Sequence, residues 1–332
     1  MLNFKHPVIE LYTAYACKDN IFIPGGMMAN QESSMICPQC GGKLKLEKMA
    51  YTCEGICKRK YPVTEDGLIN FIPPSLPPEK NYRRKFLKEL AKAERDHFWY
   101  NSRNRVILDM IHNYCKDQIK NKKHRMLDLG CGSGVVAGYL RRARINCTGG
   151  DCYREALEIC KTRQKVPSYL LDARALPFSK YFDIIGTFDL LEHMEDDVEI
   201  MKQIHKGLKP GGKFIFTVPA DPKLFGRYDE ICLHKRRYTK KELEEKLRDA
   251  GFIPEKLSYF LFILYPFHRL INYLNKTAGD QVSDTQHLKR ERAVIPVLNL
   301  LMELTVEIER HLLKIVDLPF GSAIIGVARK VS

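Results

Sequence analysis

The chain has no run of about 18 apolar residues, so a bilayer-spanning helix is not expected. Met1 to Leu11 lack a charged start followed by an apolar stretch, and no secretory signal is expected either. Tryptophan is scarce, with a single residue at Trp99 in 332. No internal repeat is present. Hydrophobic residues make up 45% and charged residues 28%, which fits an ordinary globular chain better than a disordered one. The length suffices for one large α/β core plus a small extra domain.

What is present begins with charge. The formal net charge of +14 suits an anionic contact such as RNA, a membrane surface or a phosphorylated substrate. A lysine-rich background explains it equally well, so charge alone decides nothing. Cysteine is plentiful, at 11 residues. Without a secretory signal, the expected location is a reducing cytoplasm, where clustered cysteines read as metal ligands rather than disulfides.

The cluster lies in Cys37-Pro38-Gln39-Cys40 and Cys53-Glu54-Gly55-Ile56-Cys57. Four thiolates in two close pairs, Cys37, Cys40, Cys53 and Cys57, match a closed tetrahedral structural Zn2+ site. A module this small lacks core enough to fold well alone, so metal would supply much of its folding energy. Cys17, Cys115, Cys131, Cys147, Cys152, Cys160 and Cys232 show no ligand spacing and read as packing residues.

The chain divides at Pro73-Pro74-Ser75-Leu76-Pro77-Pro78, a proline density that neither helix nor central strand tolerates. Residues 1–72 form the cysteine module, 73–80 a stiff linker, and 81–332 the larger domain. In that domain helical and strand patterns alternate, which implies a parallel α/β sheet. A helical stretch is expected over Asn81–Lys120. Strands are expected at Met126–Leu129, Asn146–Gly150, Ser168–Leu171, Phe182–Thr187, Lys213–Val218, Leu257–Ile263 and Ala323–Ala328. Met194, Val198, Met201, Ile204 and Leu208 repeat at helical spacing, and Lys209-Pro210-Gly211-Gly212 turns the chain after them. Thr239 to Ala250 reads as a helix stopped by Gly251.

The chemistry centres on Leu127-Asp128-Leu129-Gly130-Cys131-Gly132-Ser133-Gly134, between a strand and a helix. Glycines there let the main chain approach a ligand. Asp151 and Asp172 end the next two strands, where open α/β sheets bind ligands, and a carboxylate at Asp151 can accept bonds from ribose hydroxyls. A dinucleotide fingerprint would need G-x-G-x-x-G, but Val135 stands where its last glycine belongs.

This loop resembles the first motif of class I S-adenosylmethionine-dependent methyltransferases. Phe182-Asp183-Ile184-Ile185 through Leu191-Glu192-His193 resembles the fourth-strand motif of their small-molecule branch. Leu208-Lys209-Pro210-Gly211-Gly212 resembles the turn before their fifth strand. The resemblance covers roughly residues 95–330. It implies a Rossmann-like seven-stranded sheet whose last strand runs antiparallel between the fifth and sixth, with a zinc-ribbon-like β module in front. By that resemblance Asp128, Gly130, Cys131, Gly132 and Gly134 hold the methionine end of S-adenosyl-L-methionine. Asp151 then holds the ribose, and Asp172 with Ala173 faces the adenine.

Methyl transfer to a hydroxyl or protonated amine needs a base. Asp189, Glu192, His193 and His234 are the candidates, against the reading that Glu192-His193 merely starts the next helix. Arg236, Arg237 and Tyr238 are candidates for substrate contact, because paired arginines grip phosphate or carboxylate. A solvated charge run is the plainer reading. Similar His-Phe-Trp segments precede the cofactor loop in some relatives. Around Trp99 that segment closes over the cofactor or, more plainly, packs a helix on the sheet.

About 55 residues separate the last two expected strands (insertion about 264–318), including an apolar helix over Val294–Val316 and the basic Lys289-Arg290-Glu291-Arg292. Apolar helices flanked by cations suit peripheral contact at the inner membrane face, a lid or a dimer face. Leu318-Pro319-Phe320-Gly321-Ser322 resembles relatives in lipid or glycan pathways. The favoured acceptor is therefore a small-molecule, lipid-linked or glycan-type compound methylated at oxygen. Zinc ribbons also precede a family that methylates guanine in ribosomal RNA, which keeps an RNA substrate open. An Asn/Asp-Pro-Pro-Tyr/Phe segment, common in base methyltransferases, is absent. A non-catalytic zinc-ribbon protein with a cofactor-sensing domain is the third reading.

Overall fold

The computed structural model describes residues 34–64, 67–72, 94, 96–278, 283, 286–287 and 294–331. The expected linker 73–80, the helix start before residue 94, Cys17 and the basic stretch 289–292 lie outside these. The first described elements are short strands, β1 (Leu44–Glu47), β2 (Ala50–Cys53) and β3 (Lys60–Pro62), which pair as an antiparallel ribbon. Next comes β4 (Ile69–Asn70).

Helix α1 (Phe98–Tyr114) starts where the His97 ring accepts a hydrogen bond from the Trp99 amide at 3.3 Å. The helix expected through Lys120 breaks at Cys115, and α2 (Lys116–Lys120) is a separate turn. An alternating series follows: β5 (Met126–Leu129), α3 (Val135–Arg142), β6 (Cys147–Asp151), α4 (Arg154–Gln164) and β7 (Ser168–Leu170). Then come β8 (Phe182–Phe188), α5 (Asp197–Gly207) and β9 (Leu208–Pro219). The Lys209–Gly212 segment, expected as a turn, lies within β9, because Leu208 already pairs with Phe182 of β8. The chain continues with α6 (Arg227–Cys232), α7 (Lys240–Asp249), β10 (Phe252–Phe260), α8 (Tyr265–Ala278), α9 (Pro296–Leu312) and β11 (Ala323–Lys330).

The sheet order is β10-β11-β9-β8-β5-β6-β7-β4. Strands β5 to β9 are parallel, and β11 runs antiparallel between β9 and β10, as the resemblance implied. The sequence of β5 (Met-Leu-Asp-Leu) is buried at every position, as a central parallel strand should be.

An eighth strand joins the seven expected. β4 pairs in parallel with β7 at the sheet edge, and the Phe71 amide donates to the Leu170 carbonyl at 2.7 Å. The reason is aromatic packing. The fully buried Phe71 ring lies 5.7–6.1 Å from Tyr51 and Tyr61 of the ribbon and from Tyr169 and Phe178 of the larger domain. Such ring pairs add to the area they bury, so the ribbon's end and the sheet edge share one core. Among the described residues, no helix is long and apolar enough to cross a membrane.

Candidate active site

Strand order reverses beside β5: β6 and β7 lie to one side of it, β8 and β9 to the other. The loops leaving β5 and β8 therefore diverge and open a crevice at the carboxyl ends of the strands, where open α/β sheets bind ligands. The glycine turn follows β5 and Asp189, Glu192 and His193 follow β8, while Asp151 ends β6, Asp172 follows β7 and His234 to Tyr238 follow α6.

After β5, Gly130, Gly132 and Gly134 all take positive φ (77°, 52° and 79°). A Cβ on Gly134 would lie 2.3 Å from the Cys160 sulfur of α4, so only glycine lets α3 begin this close to α4. A Cβ on Gly132 would meet nothing within 4 Å, so that glycine borders open space. Asp128 is 1% exposed, and its Oδ2 has no hydrogen-bond partner among the described residues. Burial pushes its pKa up to about 7, with Arg103 pulling the other way. Asp151 Oδ2 accepts from the Gly132 amide at 2.8 Å and Oδ1 from the Tyr153 amide at 2.9 Å. Cys131 is half-buried, its amide donating to the Gly150 carbonyl at 3.1 Å. Asp172 is gripped by Arg174, whose Nε and Nη2 donate at 2.9 and 2.6 Å, and Ala173 is buried beside it.

After β8, Asp189 adopts φ 62° and accepts from the Thr217 hydroxyl at 3.0 Å. Its other oxygen pairs with Arg103, a buried residue of α1. Arg103 carried no assigned role in the sequence. Its helical spacing marks a buried face, but nothing local shows which acid 86 residues away it meets.

Glu192 is 0% exposed, and neither carboxylate oxygen has a hydrogen-bond partner among the described residues. Burial raises its pKa well above the ordinary value, and nearby Asp189 adds to that. His193 stands next to it with its pKa brought down to about 4, by burial and then by the neighbouring His234. The two imidazoles meet edge to face, 4.8 Å between centroids. His234 Nε2 lies 4.0 Å from Glu192 Oε1, and its Nδ1 bonds Asp229 at 2.8 Å. The Lys235 amide donates to the Glu192 carbonyl at 2.7 Å, which ties the two loops together.

Asp229 is fully buried and also accepts from Arg237 Nε at 2.9 Å. Burial alone would raise its pKa, but the His234 hydrogen bond and the Arg237 charge hold it below the ordinary carboxylate value. Arg237, Arg236 and Tyr238 do not converge with the histidines. Arg237 is occupied by Asp229, and Arg236 donates to Asp197 at 3.1 Å. Tyr238 is fully buried with its hydroxyl 2.6 Å from Asp197.

Trp99 stacks on Phe260 at 5.2 Å, which is the packing role. The insertion is anchored at both helices. Tyr265 and Arg269 of α8 donate to Asp221 at 2.7 and 2.9 Å, and α9 lies along α1, with Arg310 donating to Asp109 at 2.6 Å. Outward, Leu270, Ile271 and Leu274 of α8 and Leu300, Leu304 and Ile308 of α9 are exposed.

In the ribbon the four predicted thiols converge. Sulfur separations are 3.4 Å for Cys37–Cys57, Cys40–Cys53 and Cys40–Cys57. A zinc–thiolate tetrahedron with ~2.3 Å bonds has edges of about 3.8 Å. A Cβ on Gly42 would lie 2.7 Å from the Gly55 Cα, so the two knuckles need glycine to approach. The Cys40 thiol is brought down to about 6 by main-chain hydrogen bonds, Gly42 first, while burial pushes Cys53 up to about 12.

Residues 97–257 match the family model described as a methyltransferase domain. A ubiquinone biosynthesis O-methyltransferase of Pseudomonas aeruginosa is 27% identical over 109 residues, 30% of this chain and 47% of that protein. One from Hydrogenovibrio crunogenus is 34% identical over 106 residues, 30% of this chain and 43% of that protein. The chain thus spans under half the length of these curated relatives. The solved structure of an S-adenosylmethionine-dependent methyltransferase from Archaeoglobus fulgidus is 19% identical, with a TM-score of 0.42 over 68% of this chain and 94% of that one.

Proposed function

We propose, on the premise that residues 97–257 form a class I S-adenosylmethionine-dependent methyltransferase domain, that the protein methylates a hydroxyl of a small-molecule acceptor. The observation that carries this reading is that, among the described residues, Asp128 Oδ2 near the end of β5 and both carboxylate oxygens of Glu192 in the turn after β8 are buried without a hydrogen-bond partner, on the two strands flanking the reversal in strand order. Buried polar atoms left unpaired are costly, and a bound ligand gives them a reason to exist.

The residues present fit the cofactor. Open space at Gly132 and the orphaned Asp128 Oδ2 make a cradle for the charged methionine end. Asp151, oriented by the Gly132 and Tyr153 amides, keeps lone pairs for ribose hydroxyls. Arg174 fixes Asp172 beside Ala173 on the adenine side. S-adenosyl-L-methionine, when bound, supplies a methyl group on a positively charged sulfur that leaves as a thioether. The chain's own task is then alignment of the acceptor oxygen and disposal of its proton. Asp189 is engaged by Arg103 and Thr217, so we assign proton handling to Glu192, His193 and His234. Asp229 orients His234, and Arg237 holds Asp229 in place.

Two further parts complete the reading. The four thiols hold a structural Zn2+, supported by their convergence and the paired glycine knuckles. The exposed apolar sides of α8 and α9 support an acceptor with an apolar, lipid-linked part. The O-methyltransferase names of the relatives favour oxygen as the acceptor atom.

The test uses methyl-labelled S-adenosylmethionine, the purified protein and a lysate of its own source. Label in the organic or small polar fraction supports the reading. Label confined to RNA replaces it with the RNA reading, and cofactor binding without any transfer replaces it with the sensing one.

A further inference from the structure

The segment that leaves the cysteine ribbon, Leu68 to Ile72, runs along the edge of the large sheet. Ile69 and Asn70 stand opposite Tyr169 and Leu170 of β7, and the Phe71 amide donates to the Leu170 carbonyl at 2.7 Å. One strand further in, the Leu171 amide donates to the Asp151 carbonyl at 3.0 Å, and beyond it the Gly130 amide donates to the Gly150 carbonyl at 2.8 Å. Asp172 follows Leu171 directly. The exit segment is thus the outermost rung of one main-chain ladder that carries Asp172, Asp151 and the glycine turn.

Packing ties the same parts together. Leu68 of the exit segment, Leu157 of α4 and Leu170 of β7 form a small buried cluster apart from the two large cores, and Ile72 and Cys131 pack against it. Cys131 belongs to the glycine turn, so ribbon side chains brace the turn itself. A strand that only covered an exposed sheet edge would have no need to reach that loop. From these contacts we infer that Leu68, Phe71 and Ile72 are positioning residues of the cofactor site, and that the metal state of the four thiols sets how tightly S-adenosyl-L-methionine binds. The inference rests on the functional reading for the identity of the cofactor.

The path from thiols to cradle is short. Cys37 Sγ lies 3.1 Å from the Tyr61 hydroxyl, the Tyr61 ring lies 5.7 Å from Phe71, and Phe71 lies 6.1 Å from Tyr169. A second path runs through polar contacts at the ribbon's end. The Val63 amide donates to the Met49 carbonyl at 2.8 Å, and the Thr64 hydroxyl donates to the Leu68 carbonyl and accepts from the Leu68 amide, both at 3.0 Å. Zinc at Cys37, Cys40, Cys53 and Cys57 fixes Tyr61 and Thr64 with them. Without it a module this small loses its order, and β7 loses the neighbour at its edge. Holding a loop in its bound shape beforehand removes part of the ordering cost of binding. Contact alone is not coupling; coupling means that zinc and cofactor raise each other's affinity by the same factor.

The probe is S-adenosyl-L-homocysteine, which has no methyl group to transfer. The full chain is titrated by calorimetry with Zn2+ loaded, after stripping with a chelator, and after Zn2+ is restored. Stripping should weaken binding roughly 10- to 100-fold, and restored Zn2+ should recover it. Trp99 emission should hold, because Trp99 stacks on Phe260 of β10, at the opposite edge of the sheet from β4. Saturating S-adenosyl-L-homocysteine should tighten zinc binding by the same factor, measured by competition with a coloured chelator, which a merely structural ribbon would not do. In the zinc-loaded chain Phe71→Ala should weaken S-adenosyl-L-homocysteine binding roughly tenfold, and Phe71→Leu should recover most of that. Leu68→Ala should act in the same direction, with circular dichroism checking the fold of each variant. In a Cys40→Ser background Phe71→Ala should add nothing, because the two act through one element. Equal affinity with and without zinc, or full affinity in Phe71→Ala, overturns this inference and leaves the functional reading standing. Loss of Trp99 emission in step with zinc overturns it too, since the ribbon would then act on the whole fold. No binding by the zinc-loaded wild type overturns the functional reading and this inference with it.

Discussion

Two clusters of titratable side chains lie in this chain, and they were built in opposite ways. The four thiols come from one short stretch, Cys37 to Cys57, on two glycine-backed knuckles. Glu192, His193 and His234 come from two loops about 40 residues apart in sequence, joined over α5, β9 and α6. The first cluster is close to its own folding unit, and the second is held by a large, already folded sheet. Local clusters declare themselves through spacing, whereas assembled ones depend on packing far from the cluster. The two should therefore fail differently.

The largest difference should appear on metal removal. A strong chelator, or Cys40→Ser, should unfold the ribbon, since structural zinc contributes on the order of 10 kcal/mol to such modules. One zinc per chain should be released and tyrosine exposure should rise around Tyr51 and Tyr61. Trp99 emission should hold steady, because Trp99 stacks on Phe260 in the larger domain. A loss of the Trp99 signal in step with zinc would break the comparison.

The assembled cluster should respond to its supports. Asp229→Ala leaves Arg237 buried without its partner and should cost about 3–5 kcal/mol in chemical denaturation. The pH dependence has a definite sign. His234 and Arg237 hold the folded-state pKa of Asp229 below its unfolded value. Its stabilisation is thus complete above the unfolded pKa and is lost as pH falls through the folded one. Wild type should lose stability between pH 4 and lower values more steeply than Asp229→Asn.

A smaller effect is expected at the cofactor loop. Asp151→Ala should weaken S-adenosylmethionine binding roughly tenfold to 100-fold, the worth of one charged hydrogen-bonding group, with little change in melting. Calorimetry gives both, and unchanged affinity would remove the ribose assignment. The smallest effect on stability belongs to the exposed helix faces. Leu300→Lys should shift stability by less than about 0.5 kcal/mol, since that side chain already faces solvent. The same variant should lower binding to uncharged phosphatidylcholine vesicles in a flotation assay if α9 contacts a lipid acceptor's surroundings.

Much of the site was legible beforehand because its parts are local. The Gly130–Gly134 turn follows a buried strand directly, and Asp151 and Asp172 sit at or just beyond strand ends, as the sequence pattern said. Less legible was the loop around His234. A run of charged residues at 235–237 looked like a grip for substrate, but Arg236 and Arg237 are occupied by Asp197 and Asp229. No spacing rule ties those residues to acids on other elements. Likewise, β4 is only two residues long, and its place beside β7 follows from the shared packing of Phe71, Tyr169 and Phe178.

The sequence by itself determined the alternation of strands and helices, the glycine turn and the cysteine spacing. Each is set by contacts a few residues apart, through hydrophobic period, φ freedom and ligand geometry. Only the tertiary structure decided which acids are left unpaired and which cations are already taken. It brought Arg103 to Asp189, Asp229 to His234, and Glu192 to a site where its carboxylate has no hydrogen-bond partner among the described residues. Those outcomes depend on burial, which removes water as the alternative partner, and burial is a property of the packed sheet rather than of any segment.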